Sequence, residues 1–146
     1  MTNCYVVFDN NASATNNRVV CVGTSLSAIK TWALSYYKKA YKMTPKQTAQ
    51  FVDDLIEVGV DDLEIYEGTS LEPLAANGTV TVGYIEAYNP IVAVGYDTEE
   101  VLNETAEALL EEYGDYGFTD PIDQLKQDIL DNVTDGYIQR DVPVVG

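Results

Sequence analysis

Histidine is absent from this chain and bases of any kind are scarce: 8 Lys and Arg stand against 24 Asp and Glu, a net charge of −16. Without an imidazole there is no Ser-His-Asp or Cys-His nucleophilic site, no histidine metal site and no histidine general base. The acid excess also opposes direct binding to phosphate backbones or anionic lipid. Long apolar runs are missing as well. The longest, such as 19–22 and 91–94, fall far short of the ~20 residues that a membrane helix needs. The opening stretch MTNCYVVFDNN has neither the basic start nor the apolar run of a signal peptide, so the expected location is cytoplasmic, the host cytoplasm if the chain is phage-encoded. Cysteine is limited to Cys4 and Cys21, on the two strands of one expected hairpin. With no export signal they read as two buried thiols rather than a disulfide.

What remains is enough for one domain over 1–146. Hydrophobic residues make up 46% of the chain and charged residues 22%, which argues against disorder. A chain of this length can bury roughly 68–70% of its unfolded surface without a metal or cross-link.

Residues 4–8 and 18–23 read as strands around a polar loop. From Leu26 to about Lys42, Ile29, Trp32, Ala33, Tyr36, Tyr37 and Ala40 recur at helical spacing. Thr44 and Pro45 cap and open a second helix, which carries Phe51, Val52, Leu55 and Ile56 and ends near Gly59. A short strand follows at 63–66, then a connection over 68–78 holding Pro73 and the turn dipeptide Asn77-Gly78. The second half repeats the plan: strands at 79–86 and 91–96, a helix capped by Asp97 and running to about Tyr113, a helix opened by Asp120-Pro121, and a closing strand at 137–145. Pro143 marks that last strand as an edge. VVCVGTSLSAI (19–29) lies over IVAVGYDTEEV (91–101), and DLIEVGVD (54–61) lies over DILDNVTD (128–135). The expectation is an α+β fold: an antiparallel sheet with packed helices, built from two duplicated ββααβ units (about 1–70 and 71–146) with pseudo-two-fold symmetry.

Charge divides unevenly between the halves. Residues 1–50 hold one acid and six bases, while residues 51–146 hold 23 acids and two bases, Lys126 and Arg140. At 100° per residue, Glu100, Glu104, Glu107 and Glu111 fall on one stripe of the helix after Asp97, with Glu99 and Glu112 on different flanks. A rise of 1.5 Å per residue makes the stripe ~16 Å long, with steps of ~4.5–6 Å, comparable to phosphate spacing along a nucleic-acid strand. Asp128, Asp131 and Asp135 add to the solvent side of the next helix. These seven acids are the candidate partner-binding residues. A solvated face that aids solubility is the plain alternative; against it, residues 51–125 contain no base at all.

Other constellations carry less. Residues 131–142 begin like a calcium loop but offer Val133 and Val142 where carboxylate ligands are needed. Adjacent acids such as Asp61/Asp62 and Glu111/Glu112 are expected by chance among 24, and no phosphate-binding glycine loop is present. Trp32, Tyr36, Tyr37 and Tyr41 read as core before they read as a base-stacking surface. No catalytic residue, metal site or cofactor is assigned.

In size, in the acid-rich stretch 97–135 and in lacking catalytic motifs, the chain resembles in general character the small phage-encoded inhibitors of bacterial defence. Many of these anti-CRISPR and anti-restriction proteins imitate DNA. The resemblance implies a non-enzymatic inhibitor with a basic nucleic-acid-binding protein as partner, a nuclease or CRISPR effector, and with no direct nucleic-acid binding. The alternatives are an acidic structural or adaptor protein of a phage or mobile element and, behind it, a carboxylate-dependent hydrolase.

Overall fold

The computed structural model describes residues 2–9, 18–41, 44–58, 63–85, 91–113, 121–131, 133–134 and 136–146. The elements are β1 (Thr2–Asp9), β2 (Val19–Gly23), α1 (Leu26–Tyr41), α2 (Pro45–Val58), β3 (Leu63–Ser70), β4 (Thr79–Ile85), β5 (Ile91–Gly95), α3 (Thr98–Tyr113), α4 (Pro121–Leu130) and β6 (Gly136–Val145).

Helix starts follow local chemistry. Ser25 Oγ accepts from Ala28 N at 3.1 Å, Asp97 Oδ1 accepts from Glu100 N at 3.1 Å, and Thr44 and Gln47 form a reciprocal capping box. Strand positions follow alternation. On β4, Val80, Val82 and Tyr84 join the barrel interior, while Ile85 packs with α3 and α4.

The six strands close into a mixed barrel in the order β1-β2-β6-β4-β5-β3. This corrects the expected antiparallel sheet with packed helices. Antiparallel ladders do join β1 to β2 and β3, and β4 to β5 and β6. The two groups of three are then sewn together by short parallel seams, Val22↔Val144 with Gly23↔Val145, and Thr69↔Ala93 with Ser70↔Val94. Hairpin and turn signals encode neighbours in sequence; the seams join strands far apart in the chain, which no local pattern records. The duplicated ββααβ units are likewise not shown: what the structure establishes for the halves is element order and pairing, not descent.

Two further expectations change with closure. β3 runs on to Ser70, because Thr69 and Ser70 are needed for the seam with β5, although Gly68, Thr69 and Ser70 read as loop. β6 is no edge; it lies between β2 and β4. Pro143 is accommodated beside an irregularity opposite Thr81, where Val80 pairs with Val142 but Val82 with Gln139. Asp141 there takes a left-handed φ of 58°.

Cys4, Val6, Phe8, Val22, Val80, Val82, Tyr84, Val94, Val142 and Val144 fill the barrel, so the interior is a packed core of mostly β-branched side chains and not a lumen. Toward the end where β1 and β4 finish, Phe8 meets Tyr66 and Tyr84 edge-on at 5.3 and 5.0 Å, and Tyr84 stacks on Tyr137 at 5.4 Å. The Arg18 guanidinium carbon lies 6.0 Å from the Phe8 ring centre. Two covers seal the outside. Ile29 of α1 packs on Val7 and Cys21, with the half-buried Trp32 against them at the margin of this cluster. The side chains of Tyr36, Tyr37 and Tyr41 lie outside the described residues. Leu102, Ala106 and Leu109 of α3 and Leu125 and Ile129 of α4 pack with Ile85. Cys4 and Cys21 are both buried and free. Cys4 faces into the barrel and Cys21 out of it, so the sulfurs are not placed to pair.

Candidate partner-binding face

α3 is held to the barrel by apolar burial and by close approach. Val101, Leu102, Thr105, Ala106 and Leu109 form its buried side. Thr98 and Thr81 share a hydroxyl hydrogen bond at 2.9 Å. Gly83 lies directly beneath the helix, where a Cβ would overlap Thr105 Oγ1. That hydroxyl is in turn spent on Val101 O, at 2.8 Å.

With that side buried, helical geometry sends the opposite side to solvent. Glu100, Glu104, Glu107 and Glu111 are all exposed. Glu107 Oε1 accepts from Asn103 Nδ2 at 3.1 Å. Among the described residues no cation pairs with any of the four. Glu99, on the flank, is different: Lys126 Nζ of α4 donates to its Oε1 at 2.6 Å. The one base between residues 51 and 139 is therefore drawn into the α3–α4 junction, its side chain only 18% exposed, and leaves the stripe uncompensated.

α4 contributes less uniformly. Asp128 is half-buried and accepts from Gln124 at 2.9 Å; Asp131 is exposed and accepts from Gln127 at 3.1 Å. Asp135 lies outside the described residues, as does 114–120, the tyrosine- and glycine-rich link between the helices. Residues 136–142, which would close the calcium-like loop, are strand. Helical spacing puts Leu130 and Val133 on the apolar face of this helix with Ile122, Leu125 and Ile129, but α4 ends at Leu130 and the two are 44% and 69% exposed beside Asp131. Sequence reasoning overlooked the Glu99–Lys126 pair, whose only sequence signal is a single Lys in a base-free stretch.

Chemically the face can repel anions and attract cations along a fixed line. Among the described residues the groups with displaced pKa values lie elsewhere, Cys4, Cys21 and Tyr84 buried and Tyr66 half-buried. Desolvation pushes the Cys4 thiol up to about 11 and the Cys21 thiol to about 12, with Glu67 adding to the effect at Cys4. Tyr66, which donates to the Glu64 carboxylate, and the desolvated Tyr84 are both pushed up to about 12, against a lowering by Arg18. These are inert, protonated groups at neutral pH. Among the described residues no group of three or more Cys, Asp and Glu is placed to hold a metal ion, and no helix is long and apolar enough to cross a membrane.

No protein family, no curated protein and no solved structure matches this chain.

Proposed function

We propose that the protein is a non-enzymatic inhibitor that imitates nucleic acid and blocks the basic nucleic-acid-binding channel of a bacterial defence protein, of the nuclease or CRISPR-effector kind. The observation that carries this reading is the single file of exposed carboxylates, Glu100, Glu104, Glu107 and Glu111, on a helix clamped to a closed barrel. A nucleic-acid channel is built to receive regularly spaced negative charge, and much of its affinity comes from neutralising that charge. A rigid helix presents the charges without ordering them at the moment of binding, which lowers the entropic cost. Like-charge neighbours on a helix repel by ~0.2–0.5 kcal/mol per pair, and a cationic partner removes that repulsion. The one nearby base, Lys126, is withdrawn to Glu99, so it does not compete for the stripe.

The test is capture from a bacterial lysate on the immobilised protein, followed by elution with double-stranded DNA. The reading expects a DNA- or RNA-binding enzyme that is retained at low salt and displaced by DNA. Direct binding of DNA by the isolated chain, or retained proteins that DNA does not displace, would overturn it.

A further inference from the structure

Of nine asparagines only Asn77 is followed by glycine, and it is exposed. A glycine amide nitrogen has no neighbouring side chain to shield it, so it reaches an asparagine carboxamide more readily than any other residue's does. Asn77 is the third residue of a turn over 75–78 and takes a left-handed φ of 66°, which Asn tolerates and a type II turn requires there. The other described asparagines are held differently. Asn3 lies in β1 and donates to Glu67 at 3.1 Å; Asn103 lies in α3 and donates to Glu107 at 3.1 Å. A ladder or a helix fixes the backbone on both sides of each.

The turn is docked on the barrel. Ala75 N donates to the Tyr96 hydroxyl at 2.6 Å, Asn77 N to Val144 O at 3.0 Å, and Val144 N to Gly78 O at 2.9 Å. The last two bonds carry the β4–β6 ladder past Pro143, which pairs with Thr79 and has no N–H to give. Val144 also stands in the parallel seam with Val22. Gly78 N itself is held only loosely, 3.4 Å from Ala75 O.

We infer that Asn77-Gly78 is a site of spontaneous deamidation, gated by undocking of the turn, and that the reaction permanently unlatches the turn from β6. Gly78 N attacks Asn77 Cγ and gives up its proton. The new N–Cγ bond closes a five-membered imide as the carboxamide C–N bond breaks and ammonia leaves. Water then opens the imide at either carbonyl, giving aspartate or isoaspartate, in which the main chain runs through the side-chain carboxyl carbon. Water is the only co-reactant. Reaching Cγ means rotating the peptide unit between Asn77 and Gly78, and both of these residues are bonded to Val144, so cyclisation proceeds from the opened turn. Isoaspartate adds one atom to the main chain between the two groups that meet Val144, so the pair of bonds is not regained.

The experiment incubates the unmodified chain at mildly alkaline pH, folded and in urea, and samples it over time. Digestion after Glu places Asn77 in a fragment within 68–86, where it is the only asparagine, and isoaspartate is counted by enzymatic methylation of its carboxyl. The expected result is that Asn77 converts ahead of Asn3 and Asn103, mostly to isoaspartate, and roughly tenfold or more slowly in the folded chain than in urea. Gly78→Ala, whose Cβ would lie in ordinary contact 3.4 Å from Ala75 O, should keep the fold and lose most of the reaction. Aged protein should unfold at lower urea than fresh protein. Fresh Asn77→Asp, which adds the charge without the extra main-chain atom, should unfold near the parent. No conversion at Asn77 in the folded chain, equal rates folded and unfolded, an aged protein with the midpoint of the fresh one, or Asn77→Asp matching the aged protein would each overturn the inference.

Discussion

The side-chain amide of Gln139 makes both hydrogen bonds of a strand neighbour with the backbone of Val19: Val19 N donates to Oε1 at 2.9 Å, and Nε2 donates to Val19 O at 2.7 Å. The backbone ladder between β2 and β6 reaches only Val22↔Val144 and Gly23↔Val145. Toward the other end of β2 the amide of Gln139 stands in for the missing rungs. Closing a barrel from two three-stranded groups leaves such a seam, and an unpaired buried backbone group there is costly.

Gln139→Leu keeps the bulk and removes both bonds. It should lower unfolding stability by about 1–3 kcal/mol, because Val19 N–H and C=O then lose their partner in a site where Val19 is buried. A urea titration would register this as a lower midpoint at unchanged slope. An unshifted midpoint would mean that solvent already satisfies those groups.

Gly83→Ala forces a Cβ onto Thr105 Oγ1 and should cost about 1–3 kcal/mol through displacement of α3. Combining it with Thr105→Ala removes the obstructing atom. The double variant should therefore be less destabilised than the sum of the two singles, and additive losses would contradict the close approach.

Alkaline pH should unfold the protein early. The two buried thiols, the buried Tyr84 and the half-buried Tyr66, which donates to Glu64, hold their protons more tightly folded than unfolded: Cys4 to about 11 and Cys21 to about 12 against an ordinary 9.0, and Tyr66 and Tyr84 to about 12 against 10.0. A raised folded value means that the unfolded chain releases these protons first, so stability declines as pH rises. The contribution is full below pH 9.0, begins to fade from there, and is lost as pH climbs through about 11 and 12. Urea midpoints measured from pH 8 upward, with tyrosinate absorbance recorded in parallel, check the sign. A midpoint that stays constant to pH 11 would contradict it.

The order of elements was legible because each boundary has local chemistry: Ser25, Thr44 and Asp97 as caps, and alternation along β1, β4 and β6. The strand-end glycines that match between 19–29 and 91–101, Gly23 and Gly95, have a packing reason. A Cβ on Gly23 would overlap Ile29, and one on Gly95 would lie 3.0 Å from Val101, the helix residue six positions on in each case. Closure was not legible, because the seams depend on Val22 meeting Val144 and Ser70 meeting Val94, contacts between residues with no local signature. The stripe was legible from helical angle alone, since Leu102, Ala106 and Leu109 fix the opposite side as buried. Its lack of a counter-ion among the described residues was only half legible, because the pairing of Lys126 with Glu99 depends on how α4 lies along α3.

The stripe should be separable from stability. Glu104→Lys with Glu107→Lys relieves like-charge repulsion on an exposed helix face, so its unfolding midpoint should stay within about 0.5 kcal/mol of the parent or rise slightly. Thermal or urea unfolding decides this. A loss above about 2 kcal/mol would show that these carboxylates support the fold.

The most direct measurement compares three immobilised proteins in one bacterial lysate by quantitative mass spectrometry: the parent chain, Glu104→Lys/Glu107→Lys, and Asp54→Lys/Glu67→Lys, which changes the net charge equally away from α3. Nucleic-acid mimicry predicts a nucleic-acid-binding enzyme retained by the parent and by the Asp54/Glu67 variant, released by added DNA, and lost from the stripe variant. Losing two favourable contacts and gaining two repulsive ones should weaken binding by several kcal/mol, on the order of 100-fold or more. Equal retention by all three proteins, or equal loss from both variants, would contradict it.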